Sequence, residues 1–421
     1  MKLNATYIKI RDKWWGLPLF LPSLILPIFA HINTFAHISS GEVFLFYLPL
    51  ALMISMMMFF SWAALPGIAL GIFVRKYAEL GFYETLSLTA NFIIIIILCW
   101  GGYRVFTPRR NNVSHGDSRL ISQRLFWQIV FPATLFLILF QFAAFVGLLA
   151  SRENLVGVMP FNLGTLINYQ ALLVGNLIGV PLCYFIIRVV RNPFYLRSYS
   201  SQLKQQVDAK VTKKEFAIWL LALGALLLLL CMPLNEKSTI FSTNYTLSLL
   251  LPLMMWGAMR YGYKLISLLW AVVLMISIHS YQNYIPIYPG YTTQLTITSS
   301  SYLVFSFIVN YMAVLATRQR AVVRRIQRLA YVDPVVHLPN VRALNRALRD
   351  APWSALCYLR IPGMEMLVKN YGIMLRIQYK QKLSHWLSPL LEPGEDVYQL
   401  SGNDLALRLN TESHQERNTA L

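Results

Sequence analysis

Charge is scarce in this chain, and acidic charge is scarcer still. Only 13% of its 421 residues are Asp, Glu, Lys or Arg, with 18 acidic against 37 basic. A soluble domain carries about a quarter charged residues, so this deficit argues against a soluble globular protein. Cysteine is also sparse. Cys99, Cys183, Cys231 and Cys357 are widely spaced and form no Cys-x-x-Cys pair, which excludes a disulfide framework and a thiolate metal site. Ionisable residues are nearly absent from the centres of the long apolar runs, so the usual mark of an ion or proton path is missing.

Hydrophobic residues fill what charge leaves, at 56% of the chain with a mean hydropathy of +0.50. Apolar runs of roughly 20 residues recur, each long enough to cross ~30 Å of hydrocarbon. The first run lacks a small-residue cleavage site and is followed by others, so it is not a removable signal peptide. Ten spans are read, near 14–35, 43–59, 61–76, 85–106, 126–150, 164–187, 215–232, 244–260, 263–281 and 299–317.

The distribution of Lys and Arg orients them. Lys2, Lys9, Arg11 and Lys13, the cluster Arg109, Arg110, Arg119 and Arg124, and the basic residues between Arg188 and Lys214 all fall on one side. They do so only if 43–76 crosses twice. That side is cytoplasmic by the positive-inside rule, so both termini are expected in the cytoplasm of a multi-pass bacterial inner-membrane protein. Arg75 and Lys76 are the exception, emerging on the outer side. The connections 36–42 and 282–298 contain neither Lys nor Arg, as outer loops should. The net charge of +19 is therefore topogenic, the partner is the lipid bilayer, and no nucleic acid is expected.

Asn91, Gln141, Asn176 and Asn310 are the polar residues near span centres. They suit interhelical hydrogen bonding, or together a small polar pocket for an unknown small-molecule signal. His31, His37 and His279 gather near the outer face, at spacings that match no helical metal-ligand pair.

Beyond the last span, Leu315, Val322 and Leu329 recur at seven-residue intervals with Ile326 between them. This spacing suits a short coiled coil that could pair two protomers through 315–329; the intervening arginines suit a stop-transfer cluster equally well. From Asp333 the composition is that of a small α/β domain. A helix is predicted over Asn340–Asp350, a buried strand over Ser354–Ile361, one longer helix through Leu367, Met374 and Leu383, and a hairpin over Val397–Leu409. The domains are thus 1–317 in the membrane, 318–330 as a connecting helix and 331–421 as the α/β module.

Within that module, Asp333-Pro334-Val335-Val336-His337-Leu338-Pro339-Asn340 resembles the D-x-L-T-G-L-P-N motif that opens GGDEF nucleotide cyclase domains. Arg360 to Gly372 resembles the family's first metal-binding strand and its guanine-binding segment. Ser401, Gly402, Asn403, Asp404 and Leu405 occupy the GGDEF turn. The resemblance implies an α/β cyclase fold that is here incomplete and degenerate. Such a site holds magnesium through carboxylates, since hard cations need oxygen ligands. At those positions Arg360 brings a cation and Asn403 a neutral amide, so both metal ligands are lost. Val368 and Lys369 replace an Asn-Asp pair that reads guanine, and Glu392-Pro393-Gly394-Glu395 replaces the inhibitory Arg-x-x-Asp. No catalytic residue, metal or cofactor is therefore assigned to this chain.

The membrane region, with Gly175, Asn176, Gly179 and Pro181 in a late span, resembles MASE-type membrane-associated sensors. That order of domains resembles the bacterial cyclic di-GMP phosphodiesterases in which a degenerate GGDEF module precedes a hydrolysing EAL domain. Magnesium would belong to that missing domain. The chain shows no EAL motif, so a truncated, inactive signal-sensing region is expected. The alternative from composition alone is a secondary transporter built from two five-span halves with a cytoplasmic regulatory tail.

Overall fold

The computed structural model describes residues 13, 15–38, 41–106, 124–147, 162–208, 211–232, 245–285, 290–333, 335–351, 354–360, 363–400, 402 and 404–410. The chain divides into two compact units, Met1–Arg318 and Gln319–Leu421.

The first unit is mostly helical. Helix α1 (Leu17–Ile32) carries a proline in its first turn, where the missing N–H costs nothing. It runs into a hairpin of β1 (Thr34–Ile38) and β2 (Gly41–Phe46), in which His37 faces Glu42. Helix α2 (Pro49–Phe60) follows, then a 3₁₀ turn over Ser61–Ala64, α3 (Leu65–Leu80) and α4 (Phe82–Phe106). A π-helical turn, Leu125–Val130, leads into α5 (Phe131–Phe145). Then come α6 (Leu163–Arg191), α7 (Tyr195–Gln206), α8 (Lys213–Cys231), α9 (Tyr245–Tyr261), α10 (Tyr263–His279) and α11 (Tyr291–Tyr331).

The expected span 43–59 needs correction at its start. Residues 43–46 are strand, and the helix begins at Pro49. A short apolar run fits either state by pattern alone, and long-range hydrogen bonds decide here. The Phe44 N–H donates to Asn168 Oδ1 at 2.7 Å, and the Leu48 N–H to Asn33 Oδ1 at 3.1 Å. The predicted outer loop 36–42 is accordingly part of a hairpin.

Helix directions follow from side-chain neighbours. A Cβ added to Gly67 would stand 2.5 Å from the Pro18 carbonyl oxygen, and one on Gly71 3.1 Å from that of Pro22, so α3 runs parallel to α1. A Cβ on Gly175 would stand 2.0 Å from the Tyr47 carbonyl oxygen, and one on Gly179 2.7 Å from the Ala51 Cβ, so α6 runs parallel to α2. In lipid the hydrophobic effect does not pull helices together. Glycines four apart let backbones approach until dispersion does, and these two pairs do so here.

The start of α2 and the end of α3 line one cavity, so the chain reverses between them, at the 3₁₀ turn. At that same hairpin end, the Tyr281 hydroxyl donates to the Phe35 carbonyl at 3.2 Å and Asn283 Nδ2 to that of Cys231 at 2.7 Å. The opposite end joins Arg260 to Asp208 (3.3 Å) and the Lys264 N–H to Gln206 Oε1 (3.1 Å). There too the Tyr263 N–H donates to Thr317 Oγ1 (3.0 Å). By length and composition, 6 helical stretches among the described residues can cross a membrane: Pro49–Leu80, Phe82–Phe106, Leu125–Phe145, Leu163–Arg191, Lys213–Cys231 and Tyr291–Ile326. Helices α1 and α10 are apolar but shorter.

In the second unit, α12 (Val341–Asp350) is capped by Asn340, whose Oδ1 accepts from the Arg342 and Ala343 N–H groups at 3.0 and 3.1 Å. Strand β3 (Ser354–Leu359), α13 (Met364–Tyr371), α14 (Ile373–Leu387), β4 (Asp396–Gln399) and β5 (Leu405–Asn410) follow, with an antiparallel sheet ordered β3-β5-β4. Two expectations change. The single long helix is two, divided at Gly372 with φ +83°, a left-handed angle that glycine adopts without strain. Strand β3 is only half-buried, for Leu356 and Tyr358 are 52% and 58% exposed. The core lies instead around β5, where Leu405, Leu407 and Leu409 pack with Val336, Leu338, Leu387 and Val397.

Candidate functional site

The four polar residues of the spans come from four different helices. Asn91 lies on α4, Gln141 on α5, Asn176 on α6 and Asn310 on α11. Asn176 Nδ2 donates to the Ile129 carbonyl at 3.4 Å and Asn310 Nδ2 to that of Ser306 at 2.9 Å. Each of the four keeps one buried polar atom without a hydrogen-bonding partner among the described residues. None of them lines the cavity at the hairpin end.

That cavity, of about 680 Å³, is enclosed by α1, the β1–β2 hairpin and the facing ends of α2, α3 and α4. Its floor is apolar, from Leu26, Met53, Ile72, Leu88 and Phe92. Its rim carries Arg75, Lys76 and Glu79 from the last turns of α3. Arg75 Nη1 lies 2.6 Å from Glu79 Oε1, and Lys76 Nζ 3.0 Å from Glu79 Oε2. Across the opening, His37 Nδ1 meets Glu42 Oε1 at 3.3 Å. His31 and His279 are exposed, and the described residues hold no group of three or more metal-ligating side chains. Sequence reasoning placed Arg75 and Lys76 outside but gave them no role. The missed signal was Glu79, one helical turn further on, which marks them as a held cluster.

The second site is the β4–β5 turn. Ser401 and Asn403 lie outside the described residues. The last β3–β5 pair is Leu359 with Leu405, so Arg360 and Asp404 are the next residues beyond it on neighbouring strands. The Tyr358 hydroxyl donates to Asp404 Oδ2, and this bond raises the Tyr358 pKa. Arg360 Nη2 lies 3.8 Å from Glu365 Oε1. Buried Lys380 donates to the Gly402 and Leu400 carbonyls at 2.8 and 3.4 Å; burial lowers its pKa, and nearby Arg376 adds to this. Asp333 Oδ1 accepts from the Val335 and Val336 N–H groups at 2.8 and 2.9 Å. These bonds hold its carboxyl below the ordinary range, the one from Val336 contributing most. The described residues of this turn do not make a magnesium site. Of the described carboxylates around it, Asp404 is bonded to a phenol, Glu365 is paired with Arg360 and Asp333 is held by two backbone N–H groups. Arg360 and Lys380 bring cations where anionic oxygen is needed.

Comparison with known proteins identifies the first unit. The chain is 99% identical over all 421 residues to the cyclic di-GMP phosphodiesterase PdeF of Escherichia coli (strain K12), covering 56% of that protein. It is 26% identical over 408 residues to the probable cyclic di-GMP phosphodiesterase PdeA of the same organism, covering 54% of that protein. It thus spans a little over half the length of these curated relatives. No solved structure matches it. The MASE1 family matches residues 15–320, the stretch that forms the helical unit. The chain belongs to the MASE1 family.

Proposed function

We propose that this chain is the signal-sensing region of an inner-membrane signalling protein of the cyclic di-GMP phosphodiesterase type. Its helices make ten crossings with both ends in the cytoplasm, and a GGDEF-like module without cyclase chemistry follows. The observation that carries this is the coincidence of the MASE1 match, residues 15–320, with the compact helical unit ending at Arg318. Identity of 99% to a protein named as a cyclic di-GMP phosphodiesterase supports the signalling class. The alternating helix ends described above, with Arg188, Arg260 and Lys264 at one of them, support the even number of crossings.

On this reading the stimulus is a small molecule met at the membrane. Two protomers pair through 315–329, where Val322 and Ile326 are about half exposed, at 49% and 60%. Hydrolysis of cyclic di-GMP, with its magnesium, belongs to the remainder of such a protein. The β4–β5 turn serves as a relay, since Lys380 ties it to α14 and the Asp404–Tyr358 bond ties it to β3.

The deciding experiment compares the longer relative in nanodiscs with a variant in which residues 15–320 are replaced by a plain membrane anchor. Altered cyclic di-GMP hydrolysis is expected, and identical turnover under every lipid and solute condition would remove the sensing role. The present chain, given GTP and magnesium, should form no cyclic di-GMP; detectable product would overturn the reading of Arg360 and Asn403. The transporter alternative requires gradient-driven uptake in proteoliposomes, which should not be seen.

A further inference from the structure

We infer that the cavity at the hairpin end binds a small amphiphilic anion, with its apolar body on the floor and its carboxylate or phosphate against Arg75 and Lys76. Two independent observations meet here. On the ten-crossing orientation proposed above, Arg75 and Lys76 stand outside while the other basic clusters stand inside, so topogenic charge does not account for them. The Arg75 side chain lines the cavity and stays 30% exposed, although Glu79 holds its Nη1 at 2.6 Å. A guanidinium offers donors in a fork that suits planar or tetrahedral anions.

The rest of the lining sets the ligand's other half. Leu26, Met53, Ile72, Leu88 and Phe92 offer no hydrogen bond, and a cavity of about 680 Å³ lies within the usual range for small-molecule sites. Glu79 bridges the two cations and partly neutralises them. The site therefore selects a monoanion with an apolar chain or ring over a compact polyanion. The hairpin forms one wall, with its His37–Glu42 pair at the opening, so occupancy is reported directly to β2. From there Phe44 and Asn168 connect it to α6. That this ligand is the sensed signal, and that Arg75 and Lys76 stand on the outer side, rest on the proposed function; the cavity and its lining do not.

The two sources of such chemistry are a free solute and an anionic lipid, and the test separates them. The full chain is placed in phosphatidylcholine nanodiscs and titrated with decanoate, and with decanol as the uncharged control. Saturable decanoate binding by calorimetry is expected, at least tenfold tighter than decanol. It should weaken at least tenfold in Arg75→Gln and also in Ala30→Phe, which fills the cavity without touching charge. Equal binding of decanol, or unchanged binding in both folded variants, would overturn the site. If the natural occupant is lipid, phosphatidylglycerol discs should abolish decanoate binding, and native mass spectrometry should retain phosphatidylglycerol on the parent chain but not on Arg75→Gln. If it is a solute, decanoate should bind alike in both discs. Absence of decanoate binding in phosphatidylcholine discs with cyclic di-GMP control intact in the longer relative would sink the site alone; the converse result would sink only the sensing role.

Discussion

At the scale of single residues, the membrane unit depends on backbone approach more than on side-chain chemistry. Gly175 is buried with the Tyr47 carbonyl where its Cβ would be, whereas nothing lies within 4 Å of a Cβ on Gly101. Gly175→Ala should therefore destabilise the protein by roughly 1–3 kcal/mol, the range for overpacking, and Gly101→Ala should leave it near neutral. Thermal unfolding in nanodiscs distinguishes them, and equal midpoints would refute the close α2–α6 packing. Asp333 is a residue whose effect depends on pH. Its folded pKa is lowered, so its stabilisation is fully present above the ordinary carboxylate pKa and is lost as pH falls through the folded value. Amide exchange at Val335 and Val336, corrected for intrinsic rate, should show protection falling on acidification in the parent chain. In Asp333→Asn it should not depend on pH in that window.

At the scale of elements, the second unit hangs on its caps. Asn340 satisfies two N–H groups of α12, and its Nδ2 also donates to the Ala330 carbonyl at 2.8 Å. Asn340→Ala should cost about 1–2 kcal/mol, seen as exchange over Val341–Asp350 faster by about five- to thirtyfold; unchanged exchange would show that packing alone holds α12. This helix was legible because Leu344, Ala347 and Leu348 recur on one helical face. The helix start at Pro49 was not, because Val43-Phe44-Leu45-Phe46 fits strand and span alike and the choice depends on Asn168, over a hundred residues away. The division at Gly372 was hidden for a related reason: the apolar period continues across it, and only the backbone angle breaks. Tyr358 and Lys380 were unreadable as partners of the turn, since their roles arise from pairing and burial and no motif marks them.

At the scale of the whole molecule, the order of apolar runs was readable and the site was not. Length and hydropathy locate a span, but a cavity forms from the ends of several helices and a hairpin that the spans leave out. The orientation can be tested directly. Tyr83, at the hairpin end of α4, and Phe194, before α7, are 84% and 83% exposed. In intact cells an impermeant maleimide should label Tyr83→Cys at once and Phe194→Cys only after permeabilisation. Labelling of both from the same side would refute the three crossings by α4, α5 and α6 that lie between them.

The π-helical turn at Leu125–Val130 has its own consequence for how the chain tolerates change. Such a turn holds about one residue more than an α-helical turn requires, so α5 carries a spare. Removing exposed Phe126 should let the segment rewind, with folded, monodisperse protein recovered from membranes. Removing Leu173 from the middle of α6 should turn the rest of that helix by about 100°, with recovery lost. Length is thus negotiable in one helix of this unit and fixed in its neighbour.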